Sequence, residues 1–408
     1  MRTDQSYIPV GSFLVILCMT PSSLVRAELS DKGLHPYVQT QIEYDSNIFG
    51  LPDAATGRAQ GVAQLSDVSR TVRAGLLLDY QLSRQEITAD LRLDRLRHAR
   101  FRELDTDGRN LQANWKWHFS AHLDGNVGGS NTRALAQYIT NNVPAKNVLD
   151  EKTSNASVNL RLHPSWHLSL GVEKYDLSPE TVNAKVNSNR RREQSTQAGI
   201  HYTPASGNSA ALQLRSSHGV ESDDASSIPV AGEYAFEQKA LQLKLDWNLT
   251  AKTRIEFVGG PVRRTYEAAS ARDYSGANAR LFVDYKLSEK SGLALTFWHE
   301  LGVPDRFTTI SSLNDGISFS PRWKMTEKTR LDGELWFERR SFSEAGENGA
   351  ALSLPDDYRL RIAALNLIYQ PLTNMELRSR ISVLSKLGDA PMNRFIRRNV
   401  AFTAQYQY

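Results

Sequence analysis

The sequence predicts an all-β fold: a single closed antiparallel barrel of about eighteen strands that crosses a membrane. Three observations carry this. Runs of ten or more residues alternate apolar with polar side chains, a period of two that gives a strand one greasy and one wet face. The runs come in pairs joined by turns of two to five residues and separated by longer polar stretches. The last run, Phe395–Tyr408, alternates to its final residue, with Val400, Phe402, Ala404, Tyr406 and Tyr408 on one phase. A last strand of that kind must pair with the first, which leaves no open edge.

The first element along the chain is an export signal. "GSFLVILCMT" (residues 11–20) is apolar but shorter than the ~20 residues a helical span needs. Arg2 precedes it, and Val25-Arg26-Ala27 places small or apolar side chains where a signal peptidase reads. Residues 1–27 are therefore expected to be a signal peptide and residues 28–408 the outer-membrane barrel. A lipoprotein signal fits poorly, because Leu17 is bulky for the position before a lipidated cysteine. Cys18 is the single cysteine, so the mature chain has no thiol or disulfide chemistry.

"PYVQTQIEYDSNIF" (residues 36–49) opens the barrel, and eight hairpins follow. Their turns fall near Ser83-Arg84, Ser120, Pro164-Ser165, Pro204–Asn208, "NLTAK" (residues 248–252), Ser288–Lys290, Thr326–Lys328 and Pro371–Asn374. "ALQLKLDWNL" shows the pattern best: Leu241, Leu243, Leu245 and Trp247 alternate with Gln242, Lys244, Asp246 and Asn248. Long polar connections are expected at 50–66, 131–151, 176–191, 219–233, 301–313 and 341–356. Short turns at one end and long loops at the other match periplasmic turns and extracellular loops. Aromatic residues gather beside the short turns (Tyr80, Trp115, Trp117, Phe119, Trp166, Tyr202, Trp247, Tyr285, Trp323 and Tyr369), as in an interfacial girdle. With Phe395–Tyr408 the count is eighteen. Sixteen is the alternative, because Pro321 interrupts "GISFSPRWKM", where a bulge is expected, and residues 192–203 alternate poorly. A soluble sandwich or propeller would alternate too.

Composition agrees with a barrel. Hydrophobic residues make up 40% and mean hydropathy is −0.45, values typical of a soluble protein, but a barrel hides its belt in alternate residues. A net charge of +4 does not indicate a nucleic-acid binder, and an exported chain is not expected to meet cytoplasmic nucleic acid. No nucleophile elbow, zinc-protease helix or phosphate loop occurs, so neither an enzyme nor a cofactor is expected. His118 and His122 straddle a turn and do not make a metal pair. Asp45 and Asn47 have calcium-loop spacing, yet the twelfth position is Thr56.

With the apolar phase outward, the inward phase is charged. The candidate lumen-lining residues are Arg92, Asp94, Lys116, Arg161, Arg215, Lys244, Asp246, Arg254, Glu256, Arg280, Asp284, Asp332, Glu334, Arg378 and Arg380. They read either as ion pairs that stiffen the wall or as donor rows for a hydroxyl-rich or anionic solute.

"YDSNIFGLPD" (residues 44–53), with Asp45, Asn47 and Phe49, resembles a motif of EpsL-like outer-membrane proteins, which belong to a wider group of β-barrel porins associated with exosortase and exopolysaccharide operons. Ser46 departs from the acidic residue more usual there. The resemblance implies a role in exopolysaccharide export or assembly, with polysaccharide and a periplasmic export complex as partners, and carries no catalytic residues. Phe402, Tyr406 and Tyr408 are similar to the C-terminal signal read by the barrel-assembly machinery. The reading is thus an outer-membrane porin acting in polysaccharide export, in contact with outer-membrane lipid. The alternatives are a diffusion porin for small solutes and an outer-membrane barrel enzyme.

Overall fold

A computed structural model describes residues 33–136, 144–180, 189–223, 233–267, 270–302, 312–342 and 357–408. The expected signal peptide, and the centres of the expected loops at 137–143, 181–188, 224–232, 303–311 and 343–356, lie outside the described residues.

The described residues form eighteen strands: β1 (Gly33–Asp45), β2 (Asp67–Leu82), β3 (Gln85–His98), β4 (Thr106–His118), β5 (Leu123–Leu135) and β6 (Val148–His163), then β7 (Trp166–Pro179), β8 (Asn189–Tyr202), β9 (Ser209–Asp223), β10 (Glu233–Thr250), β11 (Thr253–Tyr266) and β12 (Tyr274–Lys286), and finally β13 (Ser291–Gly302), β14 (Ser312–Lys324), β15 (Thr329–Phe342), β16 (Tyr358–Leu372), β17 (Met375–Gly388) and β18 (Arg394–Gln407). Each pairs antiparallel with its chain neighbours, and β18 pairs with β1 from Tyr37↔Gln407 to Asp45↔Asn399. The Tyr408 amide donates to the Pro36 carbonyl at 2.9 Å, completing the seam. The sheet is closed.

Burial is inverted relative to a soluble protein. Leu93, Leu170 and Leu214 are 63%, 64% and 59% exposed, whereas Glu221, Lys386 and Arg340 are 0%, 1% and 2% exposed. Water would not tolerate that outer surface, but hydrocarbon would, because the closed ladder pairs the backbone N–H and C=O groups of neighbouring strands all the way round. The aromatics beside the short turns sit on this outer face. Tyr80, Trp115, Trp166, Tyr202, Trp247, Tyr285, Trp323 and Tyr369 are all exposed, and Trp166 stacks on Tyr202 at 4.8 Å.

Three details depart from the sequence reading. First, strands run past the apolar belt into stretches expected to be loop. β5 reaches Leu135 opposite Val148, and β8 and β9 continue to Asn189↔Asp223. Alternation marks where lipid ends, but hydrogen bonding continues beyond it. Second, short connections at 99–105 and 389–393, and one spanning 267–273, escaped notice because no polar run announces them. Third, Pro321 makes no bulge. The β14–β15 ladder keeps one register on both sides of it, with Phe319↔Leu335 and Arg322↔Asp332. Gly333 provides the room, since a Cβ there would lie 2.9 Å from Pro321 Cγ.

Glycine also serves the wall where an aromatic lies flat across the ladder. Tyr37 stands opposite Gly75 and Trp298 opposite Gly316. A Cβ on either glycine would fall 2.2 Å from Tyr37 Cζ or 2.0 Å from Trp298 Cζ2, so no side chain fits there.

A barrel closed by hydrogen bonds should survive detergent until boiled. Unboiled and boiled samples are expected to migrate differently on a denaturing gel, and identical migration would show that the ladder is not closed.

Candidate functional site

The loop after β1 begins with the "YDSNIFGLPD" stretch, and its residues fold the loop. Asn47 Nδ2 donates to the Leu51 carbonyl at 2.7 Å, and its Oδ1 accepts from the Leu51 amide at 3.0 Å. Arg397 on β18 donates to the carbonyls of Asn47 (2.9 Å) and Ile48 (3.0 Å), with Asp45 at 3.7 Å. Phe49 packs edge-on against Phe101 at 4.9 Å, within a cluster that includes Leu51, Val62 and Leu104. Asp53 caps a short helix, α1 (Ala54–Ala59), by accepting from the Thr56 amide at 2.7 Å, which holds its carboxyl below the usual carboxylate range. The loop is thereby pinned to the wall at its long-loop end.

The wall has two chemically different sides. From β11 round to β3 it is ionic and paired. Arg254 bridges Asp246 (2.7 Å) and Glu256 (3.1 Å), Arg280 meets Glu300 (2.7 Å), and Asp284 meets Arg322. Asp332 pairs with Arg330 (2.9 Å), Glu334 with Arg380 (3.2 Å), and Arg378 with Glu376 (2.7 Å). Asp94 takes both Arg73 (3.0 Å) and Arg92 (3.3 Å). Between β4 and β10, below a buried ionic cluster nearer the long-loop end, amides and hydroxyls are the more frequent inward side chains. Here Lys116 pairs with Glu86 at 3.1 Å, and Arg161 donates to His167 at 3.2 Å.

This neutral side faces a recess of about 860 Å³ whose lining includes Asn114, Asn126, Asn155, Gln197, Gln213 and Lys244. Its floor is cut low by glycine. A Cβ on Gly128 would lie 2.8 Å from Asn114 Oδ1, and one on Gly129 would lie 2.9 Å from the Thr153 carbonyl oxygen. Among the described residues, the amides of Asn114, Asn126, Asn155 and Gln197 and the Lys244 ammonium make no hydrogen bond or ion pair with protein. Their bonding capacity is left for whatever fills the lumen.

Two groupings were missed at the sequence level. Ser169 Oγ lies 2.7 Å from His201 Nε2 on the inner wall, a serine–histidine pair that the sequence reading had not placed on one face. The two meet on a diagonal between β7 and β8, which only the register reveals. Gln213 also reaches that nitrogen, at 3.3 Å. Nothing among the described residues supplies a carboxylate bonded to the other ring nitrogen. The second grouping is a buried ionic cluster. Arg191 pairs with Glu193 at 2.6 Å and with Glu221 at 3.3 Å, Arg264 approaches Glu221 at 3.9 Å, and Arg215 lies between Glu173 (3.4 Å) and Glu193 (4.0 Å). The Phe236 ring lies under the guanidinium groups of Arg191 (5.3 Å) and Arg264 (4.7 Å). Among the described residues no group of three His, Cys, Asp or Glu side chains could hold a metal.

Phe402 and Tyr406 occupy the outward phase of β18, with Tyr408 just beyond its end; they are exposed by 49%, 39% and 72%, and the two tyrosine rings lie 4.8 Å apart.

No protein-family profile matches the chain, and no curated protein matches it in sequence. Solved structures match it in shape. OpdK of Pseudomonas aeruginosa, solved with vanillate, is similar over 92% of this chain and 99% of its own, with a TM-score of 0.51 at 10% identity. OccK2 (OpdF) of the same organism is similar over 92% and 98%, with a TM-score of 0.50 at 9% identity. The likeness is one of fold. The closed eighteen-stranded ladder with its lipid-facing belt is an outer-membrane β-barrel of the Gram-negative kind.

Proposed function

We propose that this barrel is a passive diffusion channel for small hydrophilic solutes. The observation that carries the reading is the recess of about 860 Å³, whose lining includes Asn114, Asn126, Asn155, Gln197 and Lys244, side chains that make no hydrogen bond or ion pair among the described residues. A wall that served only to brace the barrel would pair its polar groups, as the ionic side does. A wall that conducts must leave them to exchange with water and solute, each contact being favourable yet easily broken. The solute class is argued from the lining, since the likeness to OpdK and OccK2 is one of fold.

A role in polysaccharide export rests on the resemblance of residues 44–53. In this structure Asn47 and Phe49 of that stretch fold a loop, and Asp45 contacts Arg397, which anchors the loop. The small-solute reading therefore takes precedence.

The test is conductance of the refolded barrel in a planar bilayer. Discrete, stable open steps that rise with salt concentration are expected, together with swelling of proteoliposomes in small sugars. A heat-modifiable barrel that conducts nothing would refute the channel.

A further inference from the structure

The outer surface gathers arginine at the long-loop end of β15–β18. Arg339, Arg359, Arg361, Arg394 and Arg398 are all exposed, whereas the neighbours that alternate with them, Arg340, Leu360, Ile362, Phe395 and Arg397, are buried on the inner side. The ladder sets the five in rows. Arg339, Arg359, Leu387 and Arg394 stand on one cross-strand line. Phe337, Arg361, Ser385 and Ile396 form the next, and Leu335, Ala363, Val383 and Arg398 the third. With strands ~4.8 Å apart and a rise of ~3.4 Å per residue, the five stems share a patch roughly 14 Å on a side.

Elsewhere on this rim the cations are matched. Arg109 meets Asp150 at 2.9 Å, Arg133 meets Glu180 at 2.6 Å, and Arg192 meets Asp176 at 3.2 Å. Within the patch Arg339 has Asp357 at 3.4 Å, and Arg394 donates to the carbonyls of Gly388 and Asp389. Arg359, Arg361 and Arg398 meet no carboxylate among the described residues. Asp315, across from Arg339 on β14, is taken by His299 at 2.5 Å. Like charges directly opposite each other in a ladder repel, so Arg339 and Arg359 oppose the fold unless an anion lies between them.

The surroundings say which kind of anion fits. Phe337, Leu365, Ile381, Val383, Ile396 and Val400 are exposed on the same face, interleaved with the arginines and continuing beneath them. A soluble ion would gain nothing from those side chains. An amphiphile would lay its acyl chains on them and its head group on the guanidinium groups. The long-loop end of an outer-membrane barrel faces outward, where the leaflet is built of glycolipid whose sugars carry phosphate. Arginine's planar fork matches phosphate oxygens two at a time.

We propose that the outer face of β15–β18 docks a phosphorylated glycolipid of the outer leaflet. Arg359, Arg361 and Arg398 hold its phosphate groups, and the apolar side chains beneath take its acyl chains. The site lies on the lipid side of the wall, so it stands whether or not the lumen conducts.

The experiment titrates the refolded, heat-modifiable barrel in nonionic detergent with bis-phosphorylated lipid A and counts bound lipid by native mass spectrometry. The competitors are dephosphorylated lipid A, phosphatidylglycerol and inorganic phosphate. The phosphorylated lipid should bind about tenfold or more tightly than its dephosphorylated form, the worth of one charge-assisted contact. Neither phosphatidylglycerol nor inorganic phosphate in excess should displace it. Arg359→Gln, Arg361→Gln and Arg398→Gln together should weaken binding about tenfold or more, and Arg361→Gln alone by less. Arg95→Gln, Arg190→Gln and Arg263→Gln together remove as many outward charges elsewhere on the rim and should leave binding nearly unchanged. Equal binding of the two forms of lipid A by the native barrel overturns the site, and that comparison decides even if a triple variant fails to fold. Equal losses in the two triple variants overturn it as well. Displacement by phosphatidylglycerol or phosphate would show a general anion surface in its place.

Discussion

A barrel carrying Leu243→Arg is expected to fail assembly, while Lys244→Leu, one residue along, should assemble as the native chain does. Leu243 points outward and is 41% exposed. It lies four residues from Trp247, itself on the aromatic girdle at 43% exposure. Four residues of tilted strand rise about 10 Å along the barrel axis, near the middle of a lipid belt ~25 Å tall. Arginine on the lipid face at that depth costs ~2–4 kcal/mol, comparable to much of a domain's net stability. Lys244 faces the recess, where leucine loses a hydrated ammonium and strands no partner. The measurement is the fraction of each variant recovered in heat-modifiable form from the outer membrane. Equal tolerance at the two positions would show that the faces are assigned the wrong way round.

Glu221→Ala is expected to lower stability more than any other single change in the lumen. Glu221 is fully buried; Arg191 reaches it at 3.3 Å and Arg264 at 3.9 Å, and Tyr266 donates to it at 3.4 Å. Removing one partner from a buried pair costs about 3–5 kcal/mol, because the charge left behind keeps its desolvation penalty. Arg191 retains Glu193 at 2.6 Å, which should hold the loss toward the lower end. Urea unfolding of the refolded barrel, followed by tryptophan fluorescence, gives the number. The half-exposed Arg330–Asp332 pair is the control, and Asp332→Ala should cost no more than ~1 kcal/mol. Equal effects would mean that the Glu221 cluster is solvated.

The strands were legible because lipid imposes the sharpest patterning a sequence can show. Leu241, Leu243 and Trp247 declare a face with no knowledge of their neighbours. Beyond the belt that constraint relaxes, and the polar ends of strands read as loop. This is why Arg191 and Glu221 were missed: both fall in stretches expected to be connections, and their meeting depends on β8 and β9 continuing in register. The neutral wall was missed for a different reason. Arginines and carboxylates stand out in a sequence, whereas Asn155 or Gln197 acquires meaning only through what it fails to touch. Pro321 shows the same dependence on a partner, because Gly333, on another strand, decides whether a proline needs a bulge.

The clasp between Arg397 and the carbonyls of Asn47 and Ile48 joins segments about 350 residues apart in the chain, one on each side of the closing seam. A slip of β18 by one residue would swing Val400 and Phe402 into the polar interior and turn Arg397 toward lipid. It would also pull the guanidinium away from both carbonyls and from Asp45. The clasp therefore acts as an error check on the register of that seam. A misaligned seam gains neither the clasp nor its apolar face, so the cylinder locks in a single alignment or stays open.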